Sequence, residues 1–255
     1  MFVKSCTFAI HFPPNTKIRE QLFNLENHFA DFQKPFTLVP LPQDAPLEIP
    51  RIIAVSLHGH SKLTICGNNA QLVTNFDDEY KKDIKKCVEY IRLKCNSIVS
   101  AISIINGNSD SDEKPKFYYS GISMALAMDE EDGIENPVEY ITEKFLKCET
   151  NLHTDEVQFR IAFNVDAKYY VNILLQNNRL FNGRPDERGS IAGLKVAKDN
   201  LQVVLDINDR YAFNHEKDYI SSVETVNAVA TLAEQFATEY VRDFVLKGEI
   251  AYGNK

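Results

Sequence analysis

Seven apolar residues, Ile84, Val88, Ile91, Cys95, Ile98, Ile102 and Ile105, recur at steps of three or four. That spacing keeps all of them on one stripe of an α-helix. A helix over 78–105 would be about 40 Å long at about 1.5 Å per residue. Its stripe must be buried against something of similar length. A second stripe closes the chain: Val226, Ala230, Ala233, Ala237, Tyr240 and Phe244 follow Ser221-x-x-Glu224, which reads as a capping box. Two long one-faced helices need a broad apolar surface to cover, and the segments between them can supply one.

Those segments alternate. In Phe2 to Phe12 the even positions carry Phe2, Cys6, Phe8, Ile10 and Phe12, which predicts a strand with one apolar face. Pro13-Pro14 ends it, and Asn15 or Thr16 caps a short helix through Ile18, Leu22, Leu25 and Phe29. The proline-rich segment 33–50 reads as an extended crossing. Short strands follow at 51–57, 62–66 and 70–76, separated by His58-Gly59-His60-Ser61 and Gly67-Asn68-Asn69, both suited to hairpins. The run Asn106 to Pro115 is polar and acidic and reads as a surface linker. After it the order recurs: a strand at 117–128, a helix opened by Asn136-Pro137, strands at 157–165 and 169–175, a loose loop to about Asn200, a strand at 201–207 and the last helix. Each half therefore reads strand, short helix, three strands, long helix. The expectation is an α+β protein: antiparallel sheet covered by long helices, in pseudo-duplicated β-α-β-β-β-α halves at 1–106 and 116–255, linked by 107–115. The two halves can join into one continuous saddle-like sheet or form two separate sheets.

The segment Leu201-Gln-Val-Val-Leu-Asp206-Ile-Asn208, followed by a long helix with Phe236 and Phe244, resembles the C-terminal signature of a sporadically distributed, uncharacterised prokaryotic family. In that family a strand ending Leu-Asp-Ile-Asp leads into a long helix with aromatic anchors; here Asn208 replaces the second acid. The crossing at Val39 to Pro50 is similar to the family's first half. The resemblance implies no activity, only a bacterial context near defence or mobile-element genes. The layout is also similar to the TATA-binding-protein-like duplicated saddle and to the helix-grip fold.

A net charge of −8 argues against nucleic acid, whose non-specific binding rests on Lys and Arg displacing counterions. The densest basic window, Lys81, Lys82, Lys85 and Lys86, is interleaved with acids and reads as a solvated helix face. Five cysteines without a CxxC pair, and no secretion-signal core in the first residues, point to packing cysteines in a reduced cytoplasmic protein. No apolar run is long enough to span a membrane.

No GxSxG, HExxH, P-loop or kinase motif occurs. A non-catalytic role without cofactor or metal is therefore expected. Arg160 and Asp206 lie on the polar faces of their strands, and would pair across an open sheet face if those strands were neighbours. Arg184 and Arg188, in the Gly-rich loop 179–198, are candidates to clamp an anion or a partner's carboxylate. His58 and His60 are too few for zinc, and the acidic run 129–132 lacks EF-hand spacing. The leading expectation is an interaction protein that binds a protein partner or itself through its sheet face or helices. The alternative is a helix-grip binder of a small apolar ligand, with Phe159, Phe163, Tyr169, Tyr170, Tyr240 and Phe244 lining its cavity. A nucleic-acid-binding saddle ranks third.

Overall fold

A computed structural model describes residues 1–42, 44–106, 115–147 and 152–253. Nine strands form one antiparallel sheet: β1 (Phe2–His11), β2 (Thr37–Leu38), β3 (Ile52–Val55), β4 (Ser61–Ile65), β5 (Asn69–Asn75), β6 (Tyr119–Met128), β7 (Gln158–Val165), β8 (Tyr169–Asn182) and β9 (Lys195–Asn208). Their order across the sheet is β2-β3-β4-β5-β1-β6-β9-β8-β7. Read outward from the central β1–β6 pair, the sides run β1, β5, β4, β3 and β6, β9, β8, β7, so both take up their strands in the same sequence. Of the two arrangements open to the halves, the chain adopts the continuous sheet. The 107–115 linker lies outside the described residues apart from Pro115.

The helices are α1 (Leu22–His28), α2 (Ile84–Ile105), α3 (Pro137–Ile141), α4 (Arg210–His215), α5 (Val223–Gln235) and α6 (Val241–Lys247). A π-helical turn, Phe236–Tyr240, joins α5 to α6 into one long rod. The two long helices touch each other; α2 lies against β1, and α5 against β6 and β9. The predicted stripe of α2 is the buried one, with Val88, Ile91, Cys95, Ile98, Ile102 and Ile105 at 0–3% exposure. The stripe of the last helix is buried likewise, and both belong to one continuous core.

Local chemistry moved several boundaries. The helix expected from Asp77 or Asp78 starts at Ile84, because Asp77 Oδ1 accepts the backbone N–H groups of Glu79 and Tyr80 in a turn, and Asp83 is the residue that caps α2. Ser222, not Ser221, caps α5 by accepting from Thr225 N–H at 3.3 Å. In β1 the alternation breaks between Val3 and Ser5, where the register with β6 shifts. This bulge turns Val3 inward and removes Lys4 from the buried parity that even numbering assigned to it. The loose loop expected near 179–198 is largely strand: β8 and β9 pair out to Asn182 and Lys195, leaving only 183–194 as the connecting loop. No helix among the described residues is long and apolar enough to cross a membrane.

Candidate functional site

The sheet has two unequal faces. On the helix side, Cys6, Phe8, Ile10, Ile122, Met124, Val203, Leu205 and Ile207 are essentially inaccessible. On the other side most of the alternate positions are half-buried or exposed, although they lie in the middle of a wide sheet, and Asn172 is buried among them. One row across this open face runs Lys62, Val73, Thr7, Ser123, Asp206, Asn172, Ala162. The next runs Thr64, Gln71, Ala9, Gly121, Asn208, Tyr170, Asn164. The centre is therefore built from Thr, Ala, Gly and Ser, and carboxamides flank it. Short side chains leave the middle shallow and bring the backbone close to anything that docks there.

Arg160 and Asp206 both lie on this face, but β8 separates their strands, so the direct cross-strand pair is replaced by a relay. Arg160 Nη2 donates to Asn172 Oδ1 at 3.2 Å, and Asn172 Nδ2 donates to Asp206 Oδ2 at 2.9 Å. Asn208 Nδ2 donates to the same oxygen at 2.9 Å. Burial pushes the Asp206 carboxyl above its ordinary value, against the opposing pull of the two amides and of Arg160. Gly121 sits opposite Asn208, and a Cβ there would come within 2.9 Å of Asn208 Cβ. Glycine is thus what lets Asn208 lie close to the sheet and reach Asp206.

One end of the face carries an aromatic cluster. His11 stacks on Tyr119 with centroids 4.3 Å apart, Arg210 lies 5.5 Å over the Tyr119 ring, and Phe213 of α4 closes on it at 5.1 Å. Tyr170 meets Tyr211 edge-on at 5.1 Å. Burial, and then Arg210, hold the His11 imidazole below its ordinary pKa.

Arg184 and Arg188 are not part of this face. They lie in the loop at the tip of the β8–β9 hairpin, roughly 30 Å from Asn172 along a strand rising about 3.3 Å per residue. Both are exposed, and Arg188 Nη2 lies 3.5 Å from Asp186 Oδ2 within the same loop. In the acidic run, Asp132 is buried and pairs with Arg242 Nη1 at 3.2 Å, and Asp129 accepts from Lys198 Nζ at 2.7 Å. No cluster of three metal-ligating side chains occurs among the described residues. The aromatics suggested as cavity lining touch other rings: Phe145 lies 5.1 Å from Phe159 and 5.4 Å from Phe244, and Tyr170 points to the opposite face.

Asp209 has no counterpart in the sequence reading. It is wholly buried, and its carboxylate accepts from Ser120 N–H at 2.6 Å, from Tyr219 OH at 2.8 Å and from the Ser221 hydroxyl. One carboxylate thereby ties the end of β9, the start of β6 and the approach to α5. Burial pushes its pKa upward in spite of these donors. An aspartate after a strand and before a short helix reads in sequence as an exposed cap, and only the fold closes over it.

The chain matches no family model, and no curated protein or solved structure matches it significantly.

Proposed function

We propose that the protein is a non-catalytic binding protein that receives a protein partner on the open face of its sheet. The observation that carries this reading is the Arg160–Asn172–Asp206–Asn208 network, set in a sheet face that only the short α4 covers, at one end, and whose centre holds only short side chains. Such a face offers a polar, nearly neutral floor with fixed donors and acceptors, which suits a protein surface better than a phosphate backbone. The contact between Phe145, Phe159 and Phe244 gives less support to an apolar-ligand cavity. A role beside bacterial defence or mobile-element genes is the biological setting that the C-terminal resemblance suggests.

The test is affinity purification from the native host with the wild type, a Ser123→Arg/Ala125→Arg variant and a Leu93→Ser control on the exposed side of α2. A stoichiometric protein that is retained by the control and lost from the face variant supports the reading. Its retention by the face variant, or recovery of no stoichiometric protein at all, refutes it.

A further inference from the structure

On the helix side of the sheet, the β3–β4 hairpin, the end of β5 and the approach to α2 line an open cavity of about 280 Å³. Its wall is aromatic. Phe76 and Tyr80 are nearly parallel, 15° apart with centroids separated by 6.5 Å, and Tyr90 meets Phe76 edge-on at 6.2 Å. Its floor carries Ser56, Thr74 and Tyr90, tied together from behind by Ser61: Ser61 Oγ lies 2.8 Å from Thr74 Oγ1 and 2.9 Å from Tyr90 OH, and Ser56 Oγ accepts from Ser61 N–H at 3.0 Å. Ser61 and Thr74 are at most 1% exposed. The two contacts among the hydroxyls of Ser61, Thr74 and Tyr90 use two hydroxyl hydrogens, which leaves the four-hydroxyl cluster able to donate to an acceptor that enters the cavity. The cavity admits water-sized molecules, so an entering acceptor would replace water at these donors. His58, His60, Asn75 and Asp77 form the mouth, where the Asp77 carboxylate disfavours an anion.

Flat apolar walls with unused donors on the floor select a planar ring bearing hydrogen-bond acceptors. A mouth of one carboxylate, one carboxamide and two imidazoles suits a neutral ring that has donors of its own. The volume lies just below the range of drug-sized ligand sites, about 300–1,000 Å³, which limits the occupant to a small ring compound. We propose that this cavity binds a small neutral heteroaromatic compound of the nucleobase or nucleoside class. The ring lies against Phe76, Tyr80 and Tyr90, its nitrogen or carbonyl oxygen accepts from the hydroxyl floor, and sugar hydroxyls face Asn75 and Asp77. This site is separate from the open sheet face and stands or falls independently of the partner proposed there.

The experiment titrates the full chain with adenosine, guanosine, cytidine and uridine, and with benzoate as an anionic ring of similar size, followed by calorimetry and saturation-transfer NMR. At least one nucleoside is expected to bind at submillimolar concentration and more tightly than benzoate. Tyr90→Phe, which keeps the ring and removes the hydroxyl, is expected to weaken it about tenfold. Asn75→Ala, at an exposed position, gives a second reading with a smaller loss, and circular dichroism establishes that both variants are folded. Failure of all four nucleosides to bind at millimolar concentration overturns the proposal. So does tighter binding of benzoate, or a nucleoside affinity unchanged in both variants.

Discussion

Two carboxylates, Asp209 wholly buried and Asp206 half-buried, shape the protein's response to pH. Asp206 and Asp209 both titrate above the ordinary carboxylate value of 3.8 because burial disfavours their charged forms. The folded state therefore holds these protons more tightly than the unfolded chain. Each group's contribution to stability is largest below the unfolded pKa and declines as pH rises from there through the raised folded pKa. Replacing Asp206 by Asn is expected to remove its share of that decline, seen as a flatter dependence of the urea midpoint on pH above 4. The Asn oxygen can still accept from Asn172 and Asn208. Asp209→Ala is a different case, since it leaves the Ser120 N–H and the Tyr219 and Ser221 hydroxyls without their acceptor. It should cost about 3 kcal/mol or more in urea denaturation. Gly121→Ala would drive a methyl against Asn208 and should cost about 1–3 kcal/mol by overpacking. The cysteines behave as core residues: burial pushes the Cys87 thiol up to about 12, and raises Cys6 and Cys95 as well. Alkylation with mass mapping at neutral pH should leave these three unmodified until the protein unfolds. Cys148 lies outside the described residues.

At the scale of the element, α2 shows how far a pattern can be read. Its stripe was legible because burial on one side of a helix imposes a period near 3.6, and every stripe residue from Val88 to Ile105 is buried. Ile102→Ala should cost about 2–5 kcal/mol, whereas Leu93→Ala, at a position 66% exposed, should cost under about 0.5 kcal/mol. Chemical denaturation of the pair measures that difference. The start of α2 was not legible, because Asp77, Asp78 and Asp83 are all acceptable caps, and the sequence pattern does not show that Asp77 is taken up in a turn of its own. The hairpin of β8 and β9 was read too short for a related reason. Its outer part pairs only with itself, so Asn178 to Asn182 and Lys195 to Asn200 lack the one-sided apolar alternation that marks a half-buried strand.

For the whole molecule, the decisive contact is the β1–β6 pairing, which joins the halves along most of both strands while α2 and α5 meet above it. Neither half then has a natural edge at its centre. Expressed alone, 1–106 or 116–255 would expose the long unpaired edge of β1 or β6 and the flank of a long helix, and should be insoluble or aggregate. Co-expressed, the two pieces should reassociate, and the intact chain should unfold in a single transition by both circular dichroism and fluorescence. A half that is monomeric and cooperatively folded by itself would show that 1–106 and 116–255 are independent domains.

The sequence by itself determined the α+β class, the antiparallel strands, the two buried helix stripes and the polar faces on which Arg160 and Asp206 stand. These follow from periodicity, a local property of chain geometry. Only the tertiary structure decided that the halves share one sheet, that β8 lies between β7 and β9, and that Asn172 therefore links Arg160 to Asp206. It also separated Arg184 and Arg188 from that network and buried Asp209 against Ser120, Tyr219 and Ser221. Strand neighbours and buried polar contacts depend on residues far apart in the chain, and periodicity carries no record of which distant segments meet.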